Sequence, residues 1–252
     1  MNTDERRKKI EELVKEKGEL SVNEIRELFD ISNVTVRNDL IYLERKGVVR
    51  REFGKAILTQ KHISNVFNIN NIPNLNEKEK IGKYAAGLIK ENESVLFYTG
   101  TTSLQVAKHI RDVKNIIAVT NSILIAYELG KNPYIKTIII GGFYNPATGA
   151  TFGEKAIHQL DDYNIDRVFL SVDGISAESG ITNDNVYETE INRAMLEKSK
   201  EVIVVADFSK IGALRFVKMG DIDKVHILIT DNKAPKDEIK RIEEKGVRVV
   251  IV

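Results

Sequence analysis

Between residue 77 and the C-terminus, seven short apolar runs alternate with longer amphipathic stretches; the runs are 94–98, 116–120, 137–140, 167–172, 202–206, 225–230 and 247–252. Several, such as Val202-Ile203-Val204-Val205-Ala206, are apolar at consecutive positions with no in-out alternation. A strand reads this way when helices cover both faces of its sheet, because neighbouring side chains then all meet apolar partners. Stretches near 104–111, 122–131, 154–162, 187–200 and 235–246 separate most of the runs and carry helical periodicity. Asn76 and Glu79 are placed to cap a preceding helix carrying Ile81, Tyr84, Ala85 and Leu88. The alternation predicts an α/β domain with a mainly parallel sheet over residues 77–252. No internal repeat is present.

Residues 1–57 have a different texture, rich in charged helix formers. Ile10, Leu13 and Val14 follow a helical spacing that Gly18 ends. Ser21-Val22-Asn23-Glu24 forms a Ser-x-x-Glu capping box for a second helix with Val22, Ile25, Leu28 and Phe29 on its apolar face. After a short turn, Ser32 is placed to cap a third helix, which Gly47 stops. Residues 48–58 read as a two-stranded ribbon turning near Gly54. Three short helices and a ribbon describe a winged helix-turn-helix. Residues 58–76, rich in Asn and without a clear period, read as a linker.

In the third helix Val36, Leu40 and Leu43 make one apolar stripe, which leaves Asn33, Val34, Arg37, Asn38 and Ile41 outward and Thr35 at the border. Short polar and basic side chains near the start of such a helix suit base edges and phosphates. Arg37 can pair with guanine in a bidentate manner, and Asn33 or Asn38 with adenine. The expected DNA-contacting set is Ser32, Asn33, Thr35, Arg37 and Asn38 on the helix, with Arg50, Arg51 and Lys55 on the ribbon. Over residues 31–57 six basic residues (Arg37, Arg45, Lys46, Arg50, Arg51, Lys55) face three acidic ones (Asp39, Glu44, Glu52), although the whole chain carries only +1. Double-stranded DNA is the partner such a locally basic unit suits. Ordinary solvated charges on a small helical domain are the competing reading.

In the larger part, polar or glycine-rich motifs follow most strand candidates. Tyr98 leads into Thr99-Gly100-Thr101-Thr102-Ser103, Val119 into Thr120-Asn121-Ser122, and Ile140 into Gly141-Gly142. Val172 leads into Asp173-Gly174, Ala206 into Asp207-Phe208-Ser209-Lys210, and Ile229 into Thr230-Asp231. Ligands of parallel sheets sit outside the carboxyl ends of the strands, so these loops are expected to converge. Backbone N–H groups after Gly100, with Thr101, Thr102 and Ser103, suit a phosphate held at a helix N-terminus. Lys210 offers a positive charge, Asp173 and Asp207 offer acceptors for sugar hydroxyls, and Asn121 can do both. The expected effector set is therefore Thr99, Gly100, Thr101, Thr102, Ser103, Asn121, Gly141, Gly142, Asp173, Gly174, Asp207 and Lys210. The plainer alternative is that these are turn and cap residues, with Gly141-Gly142 permitting close packing.

Cysteine is absent, which removes disulfides, thiolate metal sites and cysteine nucleophiles. His62, His109, His158 and His226 are scattered without metal-ligand spacing, and no cofactor or metal is expected. The charged start MNTDERRKKIEELVKEKG has no apolar signal-peptide core, and no apolar run approaches the roughly 18 residues of a membrane span. A soluble, cytoplasmic protein that does not engage a membrane is expected.

The stretch 21–58 resembles the N-terminal domain of the DeoR family of bacterial transcription regulators. That family's recognition segment reads Ser-x-x-Thr-(Ile/Val)-Arg-Arg-Asp-Leu-x-x-Leu-Glu-x-x-Gly, matched here by Ser32, Thr35, Val36, Arg37, Asp39, Leu40, Leu43, Glu44 and Gly47. Asn38 stands where a second arginine is usual, and Gly54-Lys55-Ala56 replaces Gly-Gly-Ala, moving a positive charge toward the wing. The family's effector domain resembles the ribose-phosphate isomerase and CoA-transferase class of folds. Its Gly-Thr-Thr, Thr-Asn-Ser, Gly-Gly, Asp-Gly, Asp-x-Ser-Lys and Thr-Asp motifs occur here in order, from Gly100 to Asp231. Glu188 and Arg193-Ala194-Met195 match a further family segment, with a role open between pocket and packing. The resemblance runs nearly end to end. It implies a repressor whose DNA affinity responds to a phosphorylated sugar or related metabolite, working as a homodimer or homotetramer on paired half-sites. The alternative is a sugar-phosphate isomerase or transferase with an accessory domain. Related isomerases carry Asp-Gly-Ala-Asp-Glu, whereas Asp173-Gly174 is followed by Ile175-Ser176-Ala177-Glu178, which argues for a sensor over an enzyme.

Overall fold

Asn2 opens helix α1 (Thr3–Lys17) by accepting from the Glu5 N–H while Glu5 reaches back to the Asn2 N–H. Gly18, at φ +81°, closes it by donating to the Val14 carbonyl. The computed structural model describes residues 2–46, 48–52, 54–58, 72–111 and 113–252. The chain divides into two units, Met1–Ile69 and Asn70–Val252.

In the first unit, strand β1 (Glu19–Ser21) leads into α2 (Val22–Phe29), which has the expected capping box between Ser21 and Glu24. Helix α3 (Asn33–Arg45) starts at its Ser32 cap, and β2 (Val49–Glu52) and β3 (Lys55–Leu58) follow as an antiparallel hairpin. The ribbon differs from the two strands expected: β1 pairs antiparallel with β3, giving the order β1-β3-β2. Three residues held between the α1 stop and the α2 cap carry no period of their own, and buried Leu20 pins them to the core. That core joins Ile10, Val14, Leu20, Ile25, Val36, Leu40, Leu43, Val49 and Ala56. Gly47 and most of the expected linker lie outside the described residues.

The second unit begins with α4 (Leu75–Ala86), two residues ahead of the expected start. Asn74, at φ +55°, and not Asn76, is the cap residue, and its side chain reaches Asp207 instead of a helix N–H. All seven expected strands form one sheet: β4 (Ser94–Phe97), β5 (Ile116–Thr120), β6 (Ile135–Ile139), β9 (Ile165–Leu170), β12 (Ser199–Val205), β14 (Ile227–Thr230) and β15 (Arg248–Ile251). Its order is β15-β14-β12-β9-β4-β5-β6 and every pairing is parallel. Helices α5 (Thr101–Lys108) and α6 (Ile123–Leu129) share with α4 the core that holds Val95 and Phe97. On the opposite face, α7 (Glu154–Leu160), α8 (Val186–Lys198) and α9 (Lys236–Glu244) share the core that holds Leu96 and Val168. Val95, Leu96 and Phe97 thus alternate between two apolar layers, which is why the strand shows no polar alternation.

Sequence reasoning missed two small antiparallel units: a hairpin of β7 (Phe143–Asn145) with β8 (Ala150–Phe152), and a sheet ordered β10 (Gly174–Ser176), β11 (Gly180–Asn183), β13 (Val217–Gly220). From β4 the chain builds outward to β5 and β6, then returns to β9 on the other side of β4. The carboxyl ends of β4 and β9 therefore flank a topological switch point, where open α/β sheets form a crevice. Among the described residues, no helix is long and apolar enough to cross a membrane.

Candidate functional site

On α3, Val36, Leu40 and Leu43 are buried, while Asn33, Val34, Arg37 and Asn38 are exposed. Ser32 accepts from the Thr35 N–H at 3.2 Å, and the two hydroxyls share a hydrogen bond of 2.9 Å. Both residues therefore order the helix start. Arg37 has no ion-pair partner among the described residues. The ribbon cations differ. Arg51 is paired with Glu44 at 2.7 Å and Lys55 with Glu19 at 2.8 Å, so these two charges are partly neutralised within the fold. The side chain of Arg50 lies outside the described residues. Asp39, which sequence reasoning left without a role of its own, is 1% exposed and accepts from Arg6 Nε at 2.7 Å and Arg7 Nε at 2.8 Å. It ties the start of α1 to the middle of α3 and so holds the outward face in place.

At the carboxyl ends of the sheet strands, the expected effector residues separate by what they touch. Gly100, at φ +149°, starts α5 against Ser171 at the end of β9; a Cβ there would lie 2.4 Å from the Ser171 Cβ. Ser103 is fully buried, its N–H donating to Ser171 Oγ at 3.0 Å and its hydroxyl meeting the same atom at 2.8 Å. It locks the first turn of α5 to the end of β9 and does not face solvent. Thr101 is exposed and Thr102 is buried. The Thr99 N–H donates to Asn121 Oδ1 at 3.2 Å, and Asn121 Nδ2 donates to the Thr151 carbonyl at 3.0 Å. Asn121 was expected to meet a ligand; instead both ends of its amide are engaged inside the protein, because the β7–β8 hairpin folds over it.

Gly141 exchanges two hydrogen bonds with the Gln159 side chain, and a Cβ on Gly142 would lie 2.4 Å from the Phe152 carbonyl oxygen. A Cβ on Gly174 would lie 2.2 Å from the Ala213 carbonyl oxygen. Close packing accounts for Gly142 and Gly174, whereas a Cβ on Gly141 would meet the Gln159 side chain only at 3.5 Å, an ordinary contact. Asp173 is half-buried, accepting from the Asp184 N–H at 3.2 Å through Oδ2. Glu178, the next acid along, is exposed.

Asp207 is 1% exposed, and Lys210 is half-buried beside it. Asp207 Oδ1 accepts from Ser209 N–H and hydroxyl and from Asn74 Nδ2 at 2.9 Å. Burial pushes the Asp207 carboxyl up, but Ser209, Lys78 and Asn74 outweigh it and hold the group below the usual carboxylate range. Neighbouring Asp231 accepts from the Phe208 N–H at 2.7 Å and orients this loop.

Lys78 escaped sequence reasoning, and the sequence leaves the role of Glu188 open between pocket and packing. Lys78, on the first turn of α4, is buried with Nζ 3.5 Å from Asp207 Oδ2. Its charge looked like an ordinary solvated face in an Asn-Glu-Lys-Glu-Lys stretch. Glu188, on the first turn of α8, is 1% exposed and accepts from Tyr98 Oη at 2.8 Å, from Asn145 Nδ2 at 3.1 Å and from the Thr148 hydroxyl. Burial, then the Glu188 charge, push the Tyr98 hydroxyl well above its ordinary range, so it stays a donor. Asn192, one turn further on α8, is fully buried beside the Tyr98 hydroxyl. The signal was an Asn and a Glu at i, i+4 among Ile191 and Met195.

Two family models match the chain, the DeoR-like helix-turn-helix domain over residues 6–62 and the DeoR C terminal sensor domain over residues 73–232. The HTH-type transcriptional regulator GolR of Listeria innocua serovar 6a is 31% identical, with 98% of each chain covered. A putative aga operon transcriptional repressor of Escherichia coli O157:H7 is 30% identical, covering 99% of this chain and 94% of the relative. Among solved structures, the full-length sorbitol operon regulator SorC of Klebsiella pneumoniae is 10% identical over 96% of this chain and 99% of its own, with a TM-score of 0.44. On the two family models and relatives spanning nearly its whole length, the chain belongs to the DeoR family of transcriptional regulators.

Proposed function

We propose that the chain represses genes of carbohydrate use, and that a phosphorylated sugar at the carboxyl ends of the sheet strands sets its hold on double-stranded operator DNA. The observation that carries the DNA half is the outer face of α3. Asn33, Arg37 and Asn38 stand exposed beyond a start ordered by Ser32 and Thr35, and Arg37 has no ion-pair partner among the described residues. Repression carries over from the Escherichia coli relative, which is described as an operon repressor.

The effector half rests on Lys210, Asp207, and the α5 start at Gly100-Thr101-Thr102. A cation and a helix N-terminus suit a phosphate, and a carboxylate suits sugar hydroxyls. Thr99, Ser103, Asn121, Gly141, Gly142 and Gly174 shape the walls from behind. Sensing rather than turnover fits the Asp173 loop, where the carboxylate takes an N–H of Asp184 and the next acid, Glu178, is exposed. A cytoplasmic homodimer or homotetramer follows from the reading, since half-sites about 34–36 Å apart need paired recognition helices.

The test is a selection for bound DNA fragments followed by fluorescence anisotropy on the winner, titrated with aldose and ketose monophosphates and their unphosphorylated counterparts. The reading expects affinity to change only with phosphorylated compounds. No selected DNA, or conversion of a pentose or hexose phosphate at enzymatic rates, sinks it.

A further inference from the structure

Lys78 and Asp207 make an unusual pair. Both are buried, yet Nζ and Oδ2 stand 3.5 Å apart, beyond the roughly 2.7–2.9 Å of a charge-assisted hydrogen bond. At that distance Asp207 Oδ2 has no well-formed hydrogen bond. A buried ammonium and a buried carboxylate oxygen that close on each other only loosely leave donor and acceptor capacity open between them. Burial pushes the Lys78 ammonium down and the nearby Lys210 charge pushes it further, against the pull of Asp207. The Lys78 ammonium thus feels a second lysine as well as the one carboxylate it pairs with.

The packing brings Lys78 to the same edge of the sheet as the start of α5. Helices α4 and α5 touch at Gly82, where a Cβ would lie 2.5 Å from the Gln105 carbonyl carbon. Lys78 is one turn before Gly82, and Thr101 is one turn before Gln105. Both helices begin at the carboxyl edge of the sheet, α4 through its contact with Asp207 after β12 and α5 directly after β4. The turn-for-turn alignment carries the Lys78 ammonium toward the first turn of α5, where Thr101 is exposed.

We propose that Lys78 is a ligand of the effector's phosphate group, partnering Lys210, and that the phosphate competes with Asp207 for it. This deepens the sugar-phosphate reading above and rests on it. In the free protein Asp207 holds Lys78 and, through Asn74, the residue just before α4. When a phosphate takes the Lys78 ammonium, Asp207 Oδ2 turns to a hydroxyl of the sugar. The first turn of α4 exchanges one partner for another, and this turn is the part of the second unit that follows the DNA-binding unit in the chain.

The experiment measures inorganic phosphate binding to the full chain by isothermal titration calorimetry, in chloride buffer, for wild type and the variants Lys78→Met, Lys78→Arg, Lys210→Gln and Asp207→Asn. Inorganic phosphate has no sugar hydroxyls, so it reads the cationic half alone. Lys78→Met is expected to weaken binding tenfold or more and Lys78→Arg to retain most of it. Asp207→Asn is expected to tighten binding several-fold, because it removes the anion that competes for Lys78. A structural role for Lys78 would lower the melting temperature without this opposite pair of affinity changes. If Lys210→Gln weakens phosphate binding while Lys78→Met and Asp207→Asn leave it unchanged, the assignment of Lys78 is wrong and the sugar-phosphate reading stands. If wild type binds no phosphate and no aldose or ketose monophosphate, both fall.

Discussion

Tyr98, at the carboxyl end of β4, donates its hydroxyl proton to Glu188 Oε2 on the first turn of α8 at 2.8 Å, with both side chains buried. Among the described residues the carboxylate has no cation in contact; three neutral donors, Tyr98, Asn145 and Thr148, satisfy it. Removing one donor leaves a buried charged oxygen under-solvated, at a cost of about 1–3 kcal/mol. Tyr98→Phe is therefore expected to lower unfolding free energy in urea by that amount. Glu188→Gln points an amide NH2 at existing donors and is expected to cost at least as much. The double variant should depart from the sum of the two, since the two side chains share one hydrogen bond. Additive costs would show that the pair is not coupled.

Arg37 and Asp39 are two residues apart on α3 and make opposite predictions. Arg37 is exposed, so Arg37→Ala should change stability by no more than about 0.5 kcal/mol. Its loss from a base-edge contact should weaken operator binding by about 1–3 kcal/mol. Asp39 is buried between Arg6 and Arg7, and Asp39→Asn strands two guanidinium groups that are only 11% and 23% exposed. Breaking such a cluster costs about 3 kcal/mol. Thermal melts and DNA titrations on both variants separate the two roles. A destabilised Arg37→Ala, or an Asp39→Asn as stable as wild type, contradicts this division.

The cations of the ribbon are expected to count for less than their number suggests. A hydrogen bond from Arg51 holds Glu44 below the usual carboxylate range, so the pair is fully ionised at neutral pH and Arg51 is already balanced. Each phosphate neutralised by a free cation adds about 0.9 to the slope of log affinity against log salt. Arg51→Ala should flatten that slope on non-specific duplex DNA by well under one unit. Glu44→Gln, which frees Arg51, should steepen it and tighten binding at low salt. A full-unit loss for Arg51→Ala with no change for Glu44→Gln would place Arg51 directly on a phosphate.

The parallel sheet was legible because several of its strands are apolar runs such as Val202–Ala206, which burial on both faces requires, while the edge strands β6 and β15 are partly exposed. The small strands were not. Phe143–Asn145 and Glu19–Ser21 are three residues long, too short to show a period, and the hairpin around Pro146 has Phe143 75% exposed. The loops at the strand ends could be named from sequence, but not which of their polar groups are free. Ser103 meets Ser171 across 68 residues and Asn74 meets Asp207 across 133, so only the sheet order decides that Ser103 is a packing residue. Lys78 stayed hidden for the same reason: a lysine in a charged helical stretch looks solvated until a distant carboxylate is brought over it.

Asp166 gives the clearest pH signature. It accepts from the Ser94 N–H and hydroxyl, at 2.9 and 2.8 Å, and from Lys200 Nζ at 2.8 Å, joining the starts of β9, β4 and β12. The hydrogen bond from Lys200, then that of the Ser94 N–H, lower its pKa from 3.8 to about 2. A carboxyl with a depressed folded-state pKa binds its proton more readily when unfolded, so its stabilisation is fully present above pH 3.8 and fades as pH falls toward about 2. The carboxylate is 36% exposed and Lys200 72% exposed, so solvent screening holds the contribution to about 1 kcal/mol. Other carboxylates titrate in the same range, and the measurement is therefore a difference. Urea unfolding of wild type and Asp166→Asn should differ by about 1 kcal/mol at pH 6, and the gap should close between pH 4 and pH 2. A gap that stays constant across that window would mean that Asp166 stabilises by shape and hydrogen bonding alone, since an asparagine oxygen can still accept from Ser94 but cannot pair with Lys200.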